Sequence, residues 1–226
     1  QQALFNGQDA ANAYATAAGG GLIGVNATVA GAISDATVTG YISDNNTITV
    51  TGSAQITADT KTKQQAAATA ATGGLIAVGA SQSEATSDSN TSSYVGKSSR
   101  INAANVNVQA TGTDDNFTST TAGSGGVVSG ASAVAKTSAT GTTKATLQDG
   151  AKVAANTLTV NAQHTVKFNA VADSANAAIV GASGLKVSHD VDTDVLATVG
   201  QNATIATPGD TVLKAVNTSV KDWRGD

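Results

Sequence analysis

One block of small and branched residues recurs at a nearly constant interval: Gly21-Leu22-Ile23, Gly74-Leu75-Ile76, Gly126-Val127-Val128 and Ala178-Ile179-Val180. Leu22 lies 53 residues before Leu75, Leu75 lies 52 before Val127, and Val127 lies 52 before Ile179. Other landmarks keep the step: Tyr41 and Tyr94 are 53 apart, and Ile101, Val153 and Ile205 are separated by 52. A fixed period of this size implies a stacked array whose units are stable only against their neighbours. The functional question then concerns surfaces more than pockets.

The pattern inside one unit identifies strands. From Leu158 the even positions run Leu158, Val160, Ala162, His164, Val166, Phe168, Ala170 and Ala172, alternating with polar residues. Such alternation over about 16 residues exceeds the usual strand of about 5 or 6. The phase changes near Ser174 to Asn176. Beyond it Ala177, Ile179, Gly181, Leu185, Val187 and Val191 take the apolar side. This predicts a long outward strand, a reversal near Ser174 to Asn176 and a long return strand. The turn Gly200-Gln201-Asn202, a short strand at Thr204-Ile205 and the turn Pro208-Gly209-Asp210 should follow.

In-register stacking of such units gives an all-β fold, a right-handed parallel β-helix (β-solenoid) of four repeats of about 52 residues. The expected boundaries are 1–53, 54–105, 106–157 and 158–216, with 217–226 as a C-terminal tail. A division of each unit into two coils of about 26 is the rival; the uninterrupted alternation favours one wide coil. Stacking should bring Tyr41 over Tyr94 and Phe117 near Phe168. The Ala-rich run from Gln64 to Ala71 is the one place where local propensity favours a helix. Hydrophobic residues make up 40% of the chain but only 3% is aromatic. Its Ala and Gly bury little area each, so backbone ladders must carry much of the order. Ala170, Ala172 and Gly181 are expected to hold the two sheets close.

The run Gly73-Gly74-Leu75-Ile76-Ala77-Val78, with Tyr94-Val95-Gly96, Ile101-Asn102-Ala103 and Asn105-Val106-Asn107-Val108-Gln109-Ala110, resembles the repeat region of large bacterial filamentous adhesins of the leukotoxin-type and filamentous-haemagglutinin-like group. The resemblance spans nearly the whole chain. It implies a β-helical stalk, exported through the outer membrane and held at the cell surface, that supports attachment, biofilm formation and virulence. The partner it implies is a host-cell or extracellular-matrix surface, met through the parent protein. The chain itself reads as a monomeric internal fragment of that longer polypeptide.

Chemistry is sparse. A net charge of −4 with 12% charged residues offers no basic stripe for nucleic acid. No apolar run reaches the length of a membrane span, and the absence of cysteine removes disulfides and thiolate metal sites. His164 lies on the apolar phase and reads as a partly buried, hydrogen-bonded core residue. His189 adjoins Asp190 without a Gly-x-Ser-x-Gly elbow to complete a triad. Gly96-Lys97-Ser98 lacks the first glycine of a phosphate loop and reads as a turn. Asp190, Asp192 and Asp194 alternate on one face about 6.5 to 7 Å apart, too far to chelate one ion by themselves; with Asp114-Asp115 they suggest loosely held surface Ca²⁺ at most. No catalytic, cofactor or metal residues are assigned. Arg224-Gly225-Asp226 matches the integrin-binding tripeptide and is the single candidate cell-binding motif. A non-enzymatic stalk is the leading reading, and a carbohydrate-binding or carbohydrate-active β-helix is the alternative.

Overall fold

The computed structural model describes residues 9–222. Among them there is no helix. Long strands β1 (Asp9–Ile42), β3 (Ser53–Val95), β5 (Asn105–Leu147), β7 (Thr157–Val199) and β9 (Thr211–Lys221) pair in that order as one parallel sheet. Short strands β2 (Thr47–Thr49), β4 (Arg100–Asn102), β6 (Lys152–Ala154) and β8 (Thr204–Ala206) form a second. The chain is therefore a parallel β-helix. Ile101 pairs with Val153, and Val153 with Ile205, as the spacing requires. One coil takes the full step, since β3, β5 and β7 are each 43 residues long.

Each of β1, β3, β5 and β7 doubles back on itself. The Thr72 hydroxyl donates to the Val78 carbonyl at 3.3 Å, Thr91 to Thr60 at 2.8 Å and Ser93 to the Ile56 carbonyl at 2.6 Å. Pairing along the sheet is interrupted at Leu22, Leu75, Val127 and Ile179, and between β3 and β5 also at Gly74 and Gly126. The recurring block is thus the reversal. It falls at Ala178–Ile179 in β7, later than Ser174 to Asn176, because the small residues there keep the inward phase up to the bend. Gly74 marks the same point two coils earlier: a Cβ on it would lie 2.3 Å from the Gly21 carbonyl oxygen, so the tight approach needs glycine.

At the other end of the coil a left-handed residue begins each corner before the short strand: Asn45, Ser98, Gly150 and Asn202, with φ of 56°, 54°, 69° and 55°. Asp44 accepts from the Lys97 amide at 2.8 Å, and Asp149 from the Gln201 amide at 2.9 Å. Gly96-Lys97-Ser98 is accordingly a corner. The corner after the short strand has variable length. Ala103 alone spans what Val50-Thr51 spans one coil below, and Ala155 alone spans what Thr207-Pro208 spans one coil above. This accounts for the steps of 53 among those of 52.

The interior has three zones. Where the short strand separates the two long faces, the space takes branched side chains: Ile101, Val106, Leu147, Val153, Leu158 and Val160 are buried. In the middle the faces meet directly and Ser, Thr and Asn fill the gap. Toward the reversal only Ala fits, with Ala30, Ala32, Ala66 and Ala68 in one cluster and Ala122, Ala131 and Ala133 in another.

Several expectations change here. Gln64 to Ala71 is strand, not helix: its alternate Ala residues are needed between two sheets, and that packing overrides local propensity. Ala172 is only partly buried, and Gly181 and Ile179 are exposed. Among the described residues no strand pairs above β7 beyond Phe168, which leaves Ala172 and the whole return half uncovered, and Ile179 additionally sits on the bend. Tyr41 and Tyr94 stack with centroids 5.3 Å apart. Phe117 and Phe168 are 51 residues apart, so the register opposes Phe117 to Asn169 and Phe168 to Asn116, and one step exchanges faces. Residues 217–221, assigned to a tail by the sequence reading, lie in β9 and pair with His164–Phe168.

Candidate functional site

The titratable side chains brought together inside the coil are Asp114 and His164. Both lie at inward positions, Asp114 on β5 and His164 on β7 above it. His164 Nε2 is 3.0 Å from Asp114 Oδ2, and Nδ1 is 2.8 Å from the Thr143 hydroxyl. Ser89 donates to Asp114 Oδ2 at 2.9 Å, and Thr62, directly below in the stack, donates to Oδ1. Asp114, His164, Thr143 and Ser89 are fully buried. Gly112 stands directly beneath His164, and a Cβ there would come within 2.5 Å of Nδ1. The missing side chain makes room for the ring.

A hydroxyl, an imidazole and a carboxylate in this order have the connectivity of a nucleophile, base and orienting acid. Their enclosure decides what they can do. No solvent-facing atom belongs to the set, so a substrate has no approach to the Thr143 hydroxyl. The groups satisfy one another's hydrogen bonds, which a buried charge requires. A neighbouring pair continues the network: Asn116 donates to the Ser87 hydroxyl and the Ser138 carbonyl, each at 2.9 Å.

The surface residues of the sequence reading remain dispersed. Asp190, Asp192 and Asp194 are exposed on one face of β7, and among the described residues no group of three or more His, Cys, Asp or Glu could hold a metal ion. His189 faces Thr137, 2.7 Å from its hydroxyl, and packs against Phe168 with ring centroids 4.8 Å apart. Burial first, and then the positive charge of Lys221, hold its pKa below the ordinary 6.5. Lys136 reaches Glu84 one coil below at 2.9 Å; that hydrogen bond and charge raise its pKa, although an exposed pair contributes little stability. A shallow groove crosses the short sheet, lined by Thr49, Arg100, Asn102, Lys152 and Thr204. Arg224, Gly225 and Asp226 lie outside the described residues.

Comparison with family models, with curated proteins and with solved structures found no match. The functional reading therefore rests on the chain itself.

Sequence reasoning placed His164 inside but missed its partner. The signal was available: Asp114 has the inward phase of its strand, and His164 falls 52 residues after Gly112, two positions away on that same phase. A charged residue at an inward position must find a counter-charge or a donor set within one coil above or below.

Proposed function

We propose that this chain is a structural stalk segment of a secreted or cell-surface bacterial adhesin. In this role it supplies length and stiffness without catalysis, for attachment or biofilm formation. The observation that carries the reading is the pairing of β3, β5 and β7 across nearly all of their 43 residues. Such a ladder resists bending because every backbone group along the coil is shared with its neighbour, and each added coil extends the rod by about 4.8 Å. The likeness of the Gly-Gly-Leu-Ile and Asn-Val-x-Val segments to adhesin repeats supports the same reading.

Two or three copies joined head to tail should scatter as rods of constant width and proportionally greater length. Copies that bend freely at each junction would overturn the stalk role, as would turnover of any polysaccharide. Saturable cell binding that is lost with Asp226→Ala would instead place receptor recognition in the terminal tripeptide.

A second reading, weak glycan binding, is supported by the groove over the short sheet, where Arg100, Asn102 and Lys152 present hydrogen-bond donors side by side. Titration with neutral and acidic oligosaccharides, using Arg100→Ala as the control, tests it.

A further inference from the structure

The most regular feature of the sequence ends up where a core residue should not be. Leu22, Leu75, Val127 and Ile179 form a column down the reversal edge and are 74%, 50%, 41% and 82% exposed. The residue after each, from Ile23 to Val180, forms a second exposed apolar column. Isolated surface hydrophobes need no explanation, but a continuous ridge repeated in every coil marks an interaction surface.

The charge pattern bears on the occupant. No charged residue occurs between Lys63 and Glu84, between Asp115 and Lys136, or between Asp173 and Lys186, and each of these gaps is centred close to the reversal. At least six extended residues on each side keep every charge about 20 Å or more from the edge. The flanks are uncharged, mostly Gly, Ala, Ser and Thr, with exposed Val25 and Val78 beside the ridge. A protein partner would require about 800 Å² per side for a stable complex, with a polar rim to fix register. This ridge is two residues wide and about 15 Å long at 4.8 Å per coil. A lipid surface has neither requirement: each apolar side chain partitions independently, to a depth of about 5 to 10 Å, while charges far from the edge stay in water. In the two inner coils, β3 and β5, the strands on both sides of the bend are paired above and below, so their entry exposes no open sheet edge.

We propose that the reversal edge is a lipid-contacting surface, its apolar columns inserting into the interfacial region of a bilayer so that the rod lies side-on against a membrane. This goes beyond the stalk reading and does not depend on it. Binding is apolar, so it should occur on neutral phosphatidylcholine vesicles and be insensitive to salt, and anionic lipid should not strengthen it for a chain of net charge −4.

The test is flotation of the full chain with phosphatidylcholine vesicles, followed by two sets of variants. Leu75→Asp with Val127→Asp should lower the bound fraction at least tenfold with the sheet circular dichroism unchanged, while Lys97→Ala at the opposite end of the coil should not lower it. In a Trp223→Phe background, Leu75→Trp should shift its emission to the blue on vesicle addition and Lys97→Trp should not. This second pair needs no destabilising charge. The proposal fails if the chain does not float, if the double Asp variant floats as well as the parent, or if Trp at position 75 stays in water. A dimer in sedimentation velocity that the same Asp pair abolishes, without vesicle binding, would give the ridge to a second copy of the chain. Because the vesicles carry no protein, these outcomes are independent of any receptor and of the stalk role.

Discussion

The Nε2 atom of His164 lies 3.0 Å from Oδ2 of Asp114, a residue fifty positions earlier in the chain and one coil below. Neither reaches solvent. The carboxylate accepts from Nε2, and Nδ1 is left to the Thr143 hydroxyl, which can donate to a neutral ring or accept from a charged one. Removing either partner strands the other in a polar but closed interior. Asp114→Ala should therefore cost about 3 to 5 kcal/mol, and His164→Ala a comparable amount, with the double variant costing clearly less than the sum. Chemical denaturation of the four proteins in the cycle checks this; additive losses would mean the two residues act separately.

Room for the imidazole depends on what stands beneath it. In Gly112→Ala the new methyl would meet Nδ1 at 2.5 Å and the Thr143 hydroxyl at 2.9 Å. The ring must move or the coils must part, at a cost of about 1 to 3 kcal/mol. Adding His164→Ala should relieve part of that cost. Failure of the second substitution to do so would place the clash elsewhere.

Ala68 is enclosed between the sheets, whereas Ala172, two coils above it in the same column, is half-buried. Ala68→Leu should overpack the narrow zone and lower stability by about 1 to 3 kcal/mol, and Ala172→Leu should have the smaller effect. Thermal melts of the two variants side by side decide the point. An unchanged melt for Ala68→Leu would contradict the close approach of the two faces.

His189 titrates below 6.5 because burial disfavours its charged form and Lys221 repels it. A histidine whose folded pKa is depressed takes up a proton more readily when unfolded. Its contribution is therefore intact above the unfolded pKa and is lost as pH falls through 6.5 toward the folded value. Proton NMR of the ring should show the low midpoint, and Lys221→Ala should move it partway back. A midpoint at or above 6.5 would remove the effect.

Much of the fold was legible because the coil repeats itself in the sequence. The interval between Leu22 and Leu75 fixes the register, and the alternation from Leu158 fixes which side chains face inward. Periodicity does not say how far apart the two faces stand, and that distance decides between Leu158 in the wide zone and Ala66 in the narrow one. It also does not show which repeated residues lie on a bend. Ile179 keeps the inward phase by counting, yet the chain turns there and leaves it in water. The Asp114 and His164 pair was hidden differently, since its members occupy neighbouring columns on different coils and no single strand displays them together.

The corner after the short strand absorbs a residue twice without disturbing anything downstream: Val50-Thr51 and Thr207-Pro208 each occupy a place that Ala103 or Ala155 fills alone, and the ladders resume in step. Length is therefore uncoupled from register at this one position of every coil. A peptide or a small folded module spliced between Thr51 and Gly52 would project sideways from the rod, and repeated insertion would space such cargo at the coil pitch of about 4.8 Å or its multiples. The same addition within the 43-residue faces would throw every following side chain to the wrong side of the sheet. The solenoid thus carries one seam along which new parts can be attached, and evolution or an engineer can lengthen it there without rewriting the core.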